Sequence, residues 1–249
     1  MYLTIQGLVL RVTIYNDTDA LLTVLSRNHG KLMVKARGLR RKNSPLAGAC
    51  QLLTYSEFIL FAYKGMYTIN EAHPLEFFHG LRKDLVKLSL GTYFAQVADV
   101  LSQEDMPTGE LQSLTLNSLY ALDKLSIPLS QIKAAFELRA ACIAGYYPEL
   151  HGCYRCNEPF PDRFNVSEGR LECGRCREEG YSGLRMPVTP GGVDAMRYIC
   201  SCDGQKVFSF RAGESTLDVL AQLCEVYLAT QLEQGFSTLD FYKSLQMGQ

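Results

Sequence analysis

Apolar and polar residues alternate with a period of two through most of residues 1–74, which predicts β-strands because side chains i and i+2 share a face. The predicted strands run over Leu3 to Tyr15, Leu21 to Leu25, Lys31 to Arg37, Leu52 to Tyr63 and Met66 to Ala72. Five short strands, with Gly7 available for a bend in the first, predict a small OB-type barrel. An SH3-like barrel or a sandwich has the same strand count.

From Leu81 onward the apolar period becomes that of helices. The first predicted helix closes before Pro107, and two more follow over Thr108 to Leu125 and Pro128 to Gly145. Start signals that combine a hydroxyl side chain with a proline or a following acid predict three further helices, at Thr189-Pro190, Ser215 to Asp218 and Ser237 to Asp240.

The chain is therefore predicted to be α+β: an N-terminal OB-type β-barrel followed by an all-α helical domain with an inserted four-cysteine zinc-binding unit. The predicted segments are the barrel at 1–79, the first helical part at 80–149, the insert at 150–182 and the second helical part at 183–249. No apolar run approaches the roughly 20 residues that a membrane span needs, which favours a cytoplasmic protein without a membrane partner.

Charge is balanced overall, with 25 basic and 26 acidic residues, but it is uneven along the chain. Between Ala20 and Ser56 there is no acid, while seven lysines and arginines lie in that window. The turn formers of Gly38 to Pro45 predict a mobile basic loop after the third strand. A basic strand and loop suit a polyanion, and the alternative is a merely solvated face.

Four of the nine cysteines form two C-x2-C pairs, Cys153 with Cys156 and Cys173 with Cys176, separated by sixteen residues. This spacing is typical of a tetrahedral zinc site. Four thiolates leave no position for water, so the pattern predicts one structural Zn²⁺; His151, beside the quartet, is an alternative ligand. The other five cysteines lie in apolar or helical contexts and are predicted to be small core residues.

Aromatic residues are frequent in the predicted barrel, at Tyr2, Tyr15, Tyr55, Phe58, Phe61, Tyr63 and Tyr67. Most are predicted to lie in the core, with one or two left on the basic face to stack on bases. The sequence contains neither G-x-x-x-x-G-K-[ST] nor H-E-x-x-H, nor the H-x-E that a zinc deaminase requires. We therefore do not expect an enzyme.

The order of these features resembles the RecO family of bacterial recombination mediators. The likeness covers essentially the whole chain and rests on matching residues: Gly38 to Pro45, Gly145-Tyr146, the four cysteines, Thr189 to Gly192, and Lys243 to Leu245. Members differ in whether the insert keeps its cysteines, and this sequence has all four. The resemblance thus implies zinc at Cys153, Cys156, Cys173 and Cys176.

The resemblance implies a non-enzymatic protein of the RecFOR pathway, associated with the bacterial nucleoid. Such a protein binds single- and double-stranded DNA and anneals complementary strands. With RecR, and indirectly RecF, it helps load RecA onto DNA coated by single-strand-binding protein, whose C-terminal tail it contacts. Phosphate contact is assigned to Lys31, Lys35, Arg37, Arg40, Arg41 and Lys42, together with Arg11 and Arg27. Two alternatives are a zinc-ribbon adaptor with an acidic partner and a DNA-modifying enzyme with a structural zinc ribbon.

Overall fold

The computed structural model of the protein describes residues 1–176 and 183–247. The predicted boundary at residue 182 lies outside these ranges, as do the last two positions of the predicted segment 183–249. The chain divides into two compact units, one of Met1–Leu125 with Phe236–Gln249 and one of Ser126–Gly235. Among the described residues, no helix has both the length and the apolar character needed to cross a membrane.

The described residues form eight strands and six α-helices. The strands are β1 Tyr2–Ile14, β2 Ala20–Ser26, β3 Gly30–Ala36, β4 Tyr55–Tyr63, β5 Met66–Glu76, β6 Arg163–Asn165, β7 Arg170–Glu172 and β8 Arg185–Pro187. The helices are α1 Leu85–Leu101, α2 Gly109–Lys124, α3 Leu129–Ile143, α4 Pro190–Ser201, α5 Glu214–Gln231 and α6 Ser237–Met247. The predicted α+β architecture is confirmed.

The first five strands close into a barrel in the order β1-β2-β3-β5-β4, which is the predicted OB-type barrel. Strand β1 closes it by pairing with β4 through its first half and with β2 through its second, and Gly7 pairs with both. A Cβ on Gly7 would stand 2.3 Å from Val24 Cγ1, so a side chain there would collide with the barrel interior. Gly7 therefore permits the bend that lets β1 pair with both β2 and β4.

Strand β4 begins three residues later than predicted. Leu53 has a φ of 61°, and the Thr54 amide donates to the Gln51 carbonyl at 3.1 Å in a turn. The apolar residues before Tyr55 lie in this turn and not in a strand. Their apolar character extends the pattern of β4 in the sequence, which is why the predicted strand began too early. Leu53 itself is fully buried.

Helices α1, α2 and α6 belong to the same unit as the barrel, so the predicted helical domain of 80–149 and 183–249 is shared between the two units. Two side chains of the α2 start explain this grouping: Thr108 Oγ1 donates to the Ser26 carbonyl at 2.9 Å, and Gln112 Nε2 donates to the Leu25 carbonyl at 2.9 Å. Helix α6 packs on α1, where the rings of Tyr93 and Phe236 meet edge to face.

The second unit contains α3, α4, α5 and the small sheet of order β7-β6-β8. Thr189 caps α4 as predicted, accepting a hydrogen bond from the Gly192 amide at 3.0 Å. The predicted cap at Ser215 is wrong, because α5 already begins at Glu214 after Gly213. Ser215 lies inside the first turn, where hydroxyl and acidic residues are also common.

Cys50, Cys142 and Cys224 are buried as predicted, whereas Cys200 and Cys202 are partly exposed at the end of α4. The Sγ atoms of Cys142 and Cys200 lie 3.6 Å apart, which joins α3 to α4 by thiol contact. Within the described residues, neither Cys200 nor Cys202 belongs to a potential metal cluster.

Candidate nucleic-acid interface and metal centre

The basic segment after β3, predicted from its turn formers to be a mobile loop, is folded into hydrogen-bonded turns. Gly38 takes a φ of 66°, and its carbonyl accepts from the Arg41 amide at 3.1 Å. The Arg40 amide donates to the Thr18 carbonyl at 3.0 Å, and its guanidinium donates to the Asn16 carbonyl at 3.0 Å. The segment is thereby held against the β1–β2 turn.

Asp19 anchors the start of this segment, because its Oδ1 accepts from the Gly38 amide at 2.9 Å. That hydrogen bond, with others from Asn16, Thr18 and Lys35, lowers the pKa of Asp19 to about 2 although partial burial opposes the shift. The anchor contributes stability above the ordinary carboxyl pKa and loses it as the pH falls toward 2. It is therefore fully present at neutral pH.

Four of the predicted phosphate ligands lie on this segment with their side chains in solvent: Arg37, Arg40, Arg41 and Lys42. Within residues 1–176 and 183–247, none of the four forms an ion pair with a carboxylate. Four cations on six consecutive residues, ordered by the backbone yet without counter-ions, form a surface that attracts a polyanion. We call these four residues the loop cations.

The cations on the barrel strands differ, because acids that are distant in sequence already pair with them. Lys31 Nζ lies 2.9 Å from Asp99 Oδ1, and Arg11 Nη2 lies 3.7 Å from Asp99 Oδ2. Lys35 Nζ lies 3.3 Å from Asp19 Oδ2. The basic strand therefore does not present free charge along its whole length, because these three cations are partly neutralised.

The eight predicted residues also do not lie at one place. Lys35 and the loop cations are at the end of β3, whereas Lys31 is at its start, beside the β2–β3 turn that carries Arg27. Seven strand residues at about 3.3 Å each separate these ends by roughly 20 Å. Arg27 is exposed, and in the described part of the chain it has no carboxylate partner.

The barrel aromatics are more exposed than predicted. Phe58 alone among the seven is fully buried, while Tyr2, Tyr15, Phe61 and Tyr63 are exposed and the remaining two are intermediate. The Lys35 ammonium lies 4.5 Å from the centroid of the Tyr15 ring. Period-two alternation indicates which side chains share a face, but it does not indicate which face another element covers.

The four predicted metal ligands do converge. The Sγ atoms of Cys153, Cys156, Cys173 and Cys176 all lie within 4.8 Å of one another. The Sγ atoms of Cys156 and Cys173 are 3.6 Å apart. Tetrahedral zinc with Zn–S bonds of about 2.3 Å requires sulfur separations of about 3.8 Å, so this donor set fits the ion. His151 is not a member of the cluster.

Backbone amides favour the thiolate form of Cys153. Burial raises the pKa of the Cys153 thiol, but the amides of Cys156, Arg155 and Cys173 outweigh it and lower that pKa to about 6. The Cys173 amide donates to Cys153 Sγ at 3.4 Å. Amides directed at a sulfur stabilise a thiolate, which is the form that binds metal.

The cysteine insert is not a separate unit, since it groups with α3–α5 and shares their core. The Phe164 ring of β6 meets the Tyr227 ring of α5 edge to face, with centroids 5.3 Å apart. Gly169 has a φ of 64°, and a Cβ on it would stand 2.8 Å from Tyr227 Oη. The insert is therefore packed against α5 at Phe164 and Gly169.

Comparison with known proteins assigns the chain to a family. Residues 1–78 match the family described as Recombination protein O N terminal, and residues 82–240 match Recombination protein O C terminal. The DNA repair protein RecO of Acetivibrio thermocellus is 34% identical over 246 residues, covering 98% of this chain and 97% of the relative. The DNA repair protein RecO of Bacillus subtilis is 28% identical over 223 residues, covering 89% and 86%. This chain therefore belongs to the RecO family of DNA repair proteins.

Proposed function

We propose that this chain binds single- and double-stranded DNA through the phosphate backbone, with the loop cations as the principal contacts. The observation that carries the proposal is the group Arg37, Arg40, Arg41 and Lys42, which is exposed, ordered and without carboxylate partners in the described residues. Such cations neutralise phosphate without reading bases, which suits a protein that must act at any sequence. Lys31, Lys35, Arg11 and Arg27 contribute secondary contacts.

In the cell, this surface anneals complementary strands by screening two phosphate backbones at once. Membership of the family supports a further role, in which the chain works with RecR, and indirectly with RecF, to load RecA. The DNA substrate would be coated by single-strand-binding protein, whose C-terminal tail would contact the helical part. This activity places the protein at the nucleoid.

The chain acts by binding and not by catalysis. The four thiolates would hold one Zn²⁺ with no open coordination position, so the ion would stabilise the fold of the insert and would not activate water. An adaptor that uses the loop cations for an acidic protein partner is the second candidate, because the same unpaired charge would also attract carboxylates.

The loop variant Arg40→Ala/Arg41→Ala/Lys42→Ala tests the proposal. Each phosphate contact to single-stranded DNA contributes about −0.7 to the slope of log affinity against log salt concentration. Losing three contacts should therefore weaken binding about fifty-fold at 0.15 M salt. Fluorescence anisotropy with oligonucleotides of unrelated sequence measures the affinity. Removal of three exposed cations outside the barrel, with Lys83→Ala/Lys206→Ala/Arg211→Ala, is the matched control and should change it little.

Equal affinities for the loop variant and the control variant would contradict the proposal. Failure of the unmodified protein to bind DNA, together with binding to a polyglutamate peptide, would favour the adaptor. Cleavage or modification of the oligonucleotide would instead indicate an enzyme.

The substitution Asp99→Asn tests the secondary contacts. It removes the carboxylate that pairs with Lys31 and Arg11 but keeps the size of the side chain and the main-chain carbonyl that Lys31 also contacts. Two released cations should raise affinity for a 30-nucleotide single strand by about four- to fifteen-fold at 0.15 M salt and steepen the salt slope. An unchanged affinity and slope would exclude Lys31 and Arg11 from the interface.

A further inference from the structure

The outer face of the barrel carries exposed rings that the phosphate contacts do not use. Tyr2 and Tyr63 are each 62% exposed and Phe61 is 40% exposed, although large apolar side chains usually lie inside. Two exposed methionines, Met33 and Met66, lie on neighbouring strands. We call these five residues the ring strip.

The strand register makes the strip continuous. Tyr2 of β1 pairs with Phe61 of β4, and their ring centroids lie 5.4 Å apart. Phe61 pairs with Thr68 of β5, which in turn pairs with Lys35 of β3. One row therefore crosses four strands and ends beside the loop cations. At about 4.8 Å between strands, the row spans roughly 15 Å.

A second row lies next to the first. Tyr63 pairs with Met66 across the β4–β5 turn, and the ammonium of Lys64 lies 5.4 Å from the centroid of the Tyr63 ring. Met33 directly precedes Val34, which pairs with Tyr67, the residue that follows Met66. The rings and the thioethers thus form a patch with a cation at its edge.

Buried neighbours fix the outward direction of these side chains. Leu60, beside Phe61, is fully buried, and so are Val34 and Ala36 on either side of Lys35. The rings therefore face solvent because of the strand register. Towards the other end of β4 the face becomes acidic, where Ile59 pairs with Glu71.

Charge indicates the kind of occupant. The row ends at Lys35, whose charge Asp19 already pairs, and Arg37, the first of the loop cations, follows two residues later. Flat rings next to cations such as Arg37, which has no carboxylate partner among the described residues, suit a ligand with flat faces and a phosphate chain. Bases of a single strand are accessible for stacking, whereas those of a duplex are stacked on each other.

We propose that the ring strip is a base-stacking platform that receives the single strand whose phosphates the loop cations hold. The bases stack on Tyr2, Phe61 and Tyr63, and the methionines fill the remaining apolar contact. This inference rests on the proposed DNA binding, and it adds a preference for single strands over duplexes.

The test compares Tyr2→Ala and Phe61→Ala with Tyr120→Ala, an exposed ring of α2 outside the strip. Each strip variant should weaken binding of single-stranded DNA by about five- to a hundred-fold and leave duplex affinity unchanged. The salt slope should stay at its unmodified value, because no phosphate contact is lost. The Phe61→Leu variant keeps apolar bulk without the ring and should also bind single strands weakly.

A strand with 2-aminopurine gives a direct readout, since its fluorescence should be quenched by stacking on the unmodified protein and less so on the strip variants. Unchanged single-strand affinity, or equal losses for single strands and duplexes, would overturn the inference. The inference would also be overturned if the strip substitutions changed the sedimentation coefficient of the DNA-free protein but left its DNA affinity unaltered. The strip would then join copies of the chain. If the loop variant still loses binding in these cases, the proposed function stands without the strip.

Discussion

The Cys173→Ser substitution is expected to abolish metal binding and unfold the insert. Serine offers no thiolate, and Cys173 is buried within the cluster of four Sγ atoms. Metal binding supplies on the order of 10 kcal/mol or more to the folding of small zinc units, which is more than a segment with three short strands can replace. Metal content by plasma mass spectrometry should fall from one ion per chain to none.

The unfolding should spread beyond the insert because Phe164 packs on Tyr227 of α5. Hydrogen exchange should therefore accelerate in β6, β7 and the facing part of α5. The Cys202→Ser variant is the matched control, since Cys202 lies outside the cluster, and it should keep both the metal and the protection. A Cys173→Ser protein that retained one tightly bound ion would refute the four-thiolate site.

The second large effect is expected at Lys133 in α3. Its Nζ lies 2.9 Å from Glu137 Oε1 and 2.7 Å from Glu225 Oε2, and Glu137 is fully buried. Burial lowers the pKa of Lys133, but the two carboxylates outweigh it and raise that pKa above its ordinary value. The stabilisation is thus complete at neutral pH and would be lost only as the pH rises through the raised pKa.

Lys133→Met removes the cation and leaves the two carboxylates close together in the interior. Breaking a buried ion pair in this way costs about 3 to 5 kcal/mol, which urea denaturation followed by circular dichroism should detect. Lys206→Met, at an exposed lysine, should change the free energy of unfolding little. A loss below about 1 kcal/mol for Lys133→Met would show that the carboxylates are protonated or solvated.

The strand and helix order was predictable because it depends on local periodicity. Five strands, the cap at Thr189 and the cysteine quartet follow from spacing alone, and each is present. Predictions failed where local chemistry was ambiguous. Leu53 is apolar but lies in a turn, and Ser215 resembles a cap but follows the helix start.

The candidate interface was less predictable because electrostatic pairing depends on the tertiary fold. Lys31 meets Asp99, 68 residues away on α1, and only closure of the barrel against that helix brings them together. Asp19 precedes β2 yet pairs with Lys35 and holds Gly38. Sequence charge counts identified a basic segment, but they could not identify which cations keep their charge available.

The salt dependence of the affinity for single-stranded DNA tests most directly whether the loop cations bind phosphate. For the unmodified protein, log affinity against log salt should have a slope of about −3 or steeper, since the four loop cations contribute about −0.7 each and the secondary contacts add to this. The loop variant should have a slope that is shallower by about 2, because it loses three contacts. Equal slopes for the two proteins, or a slope near zero for both, would contradict the account.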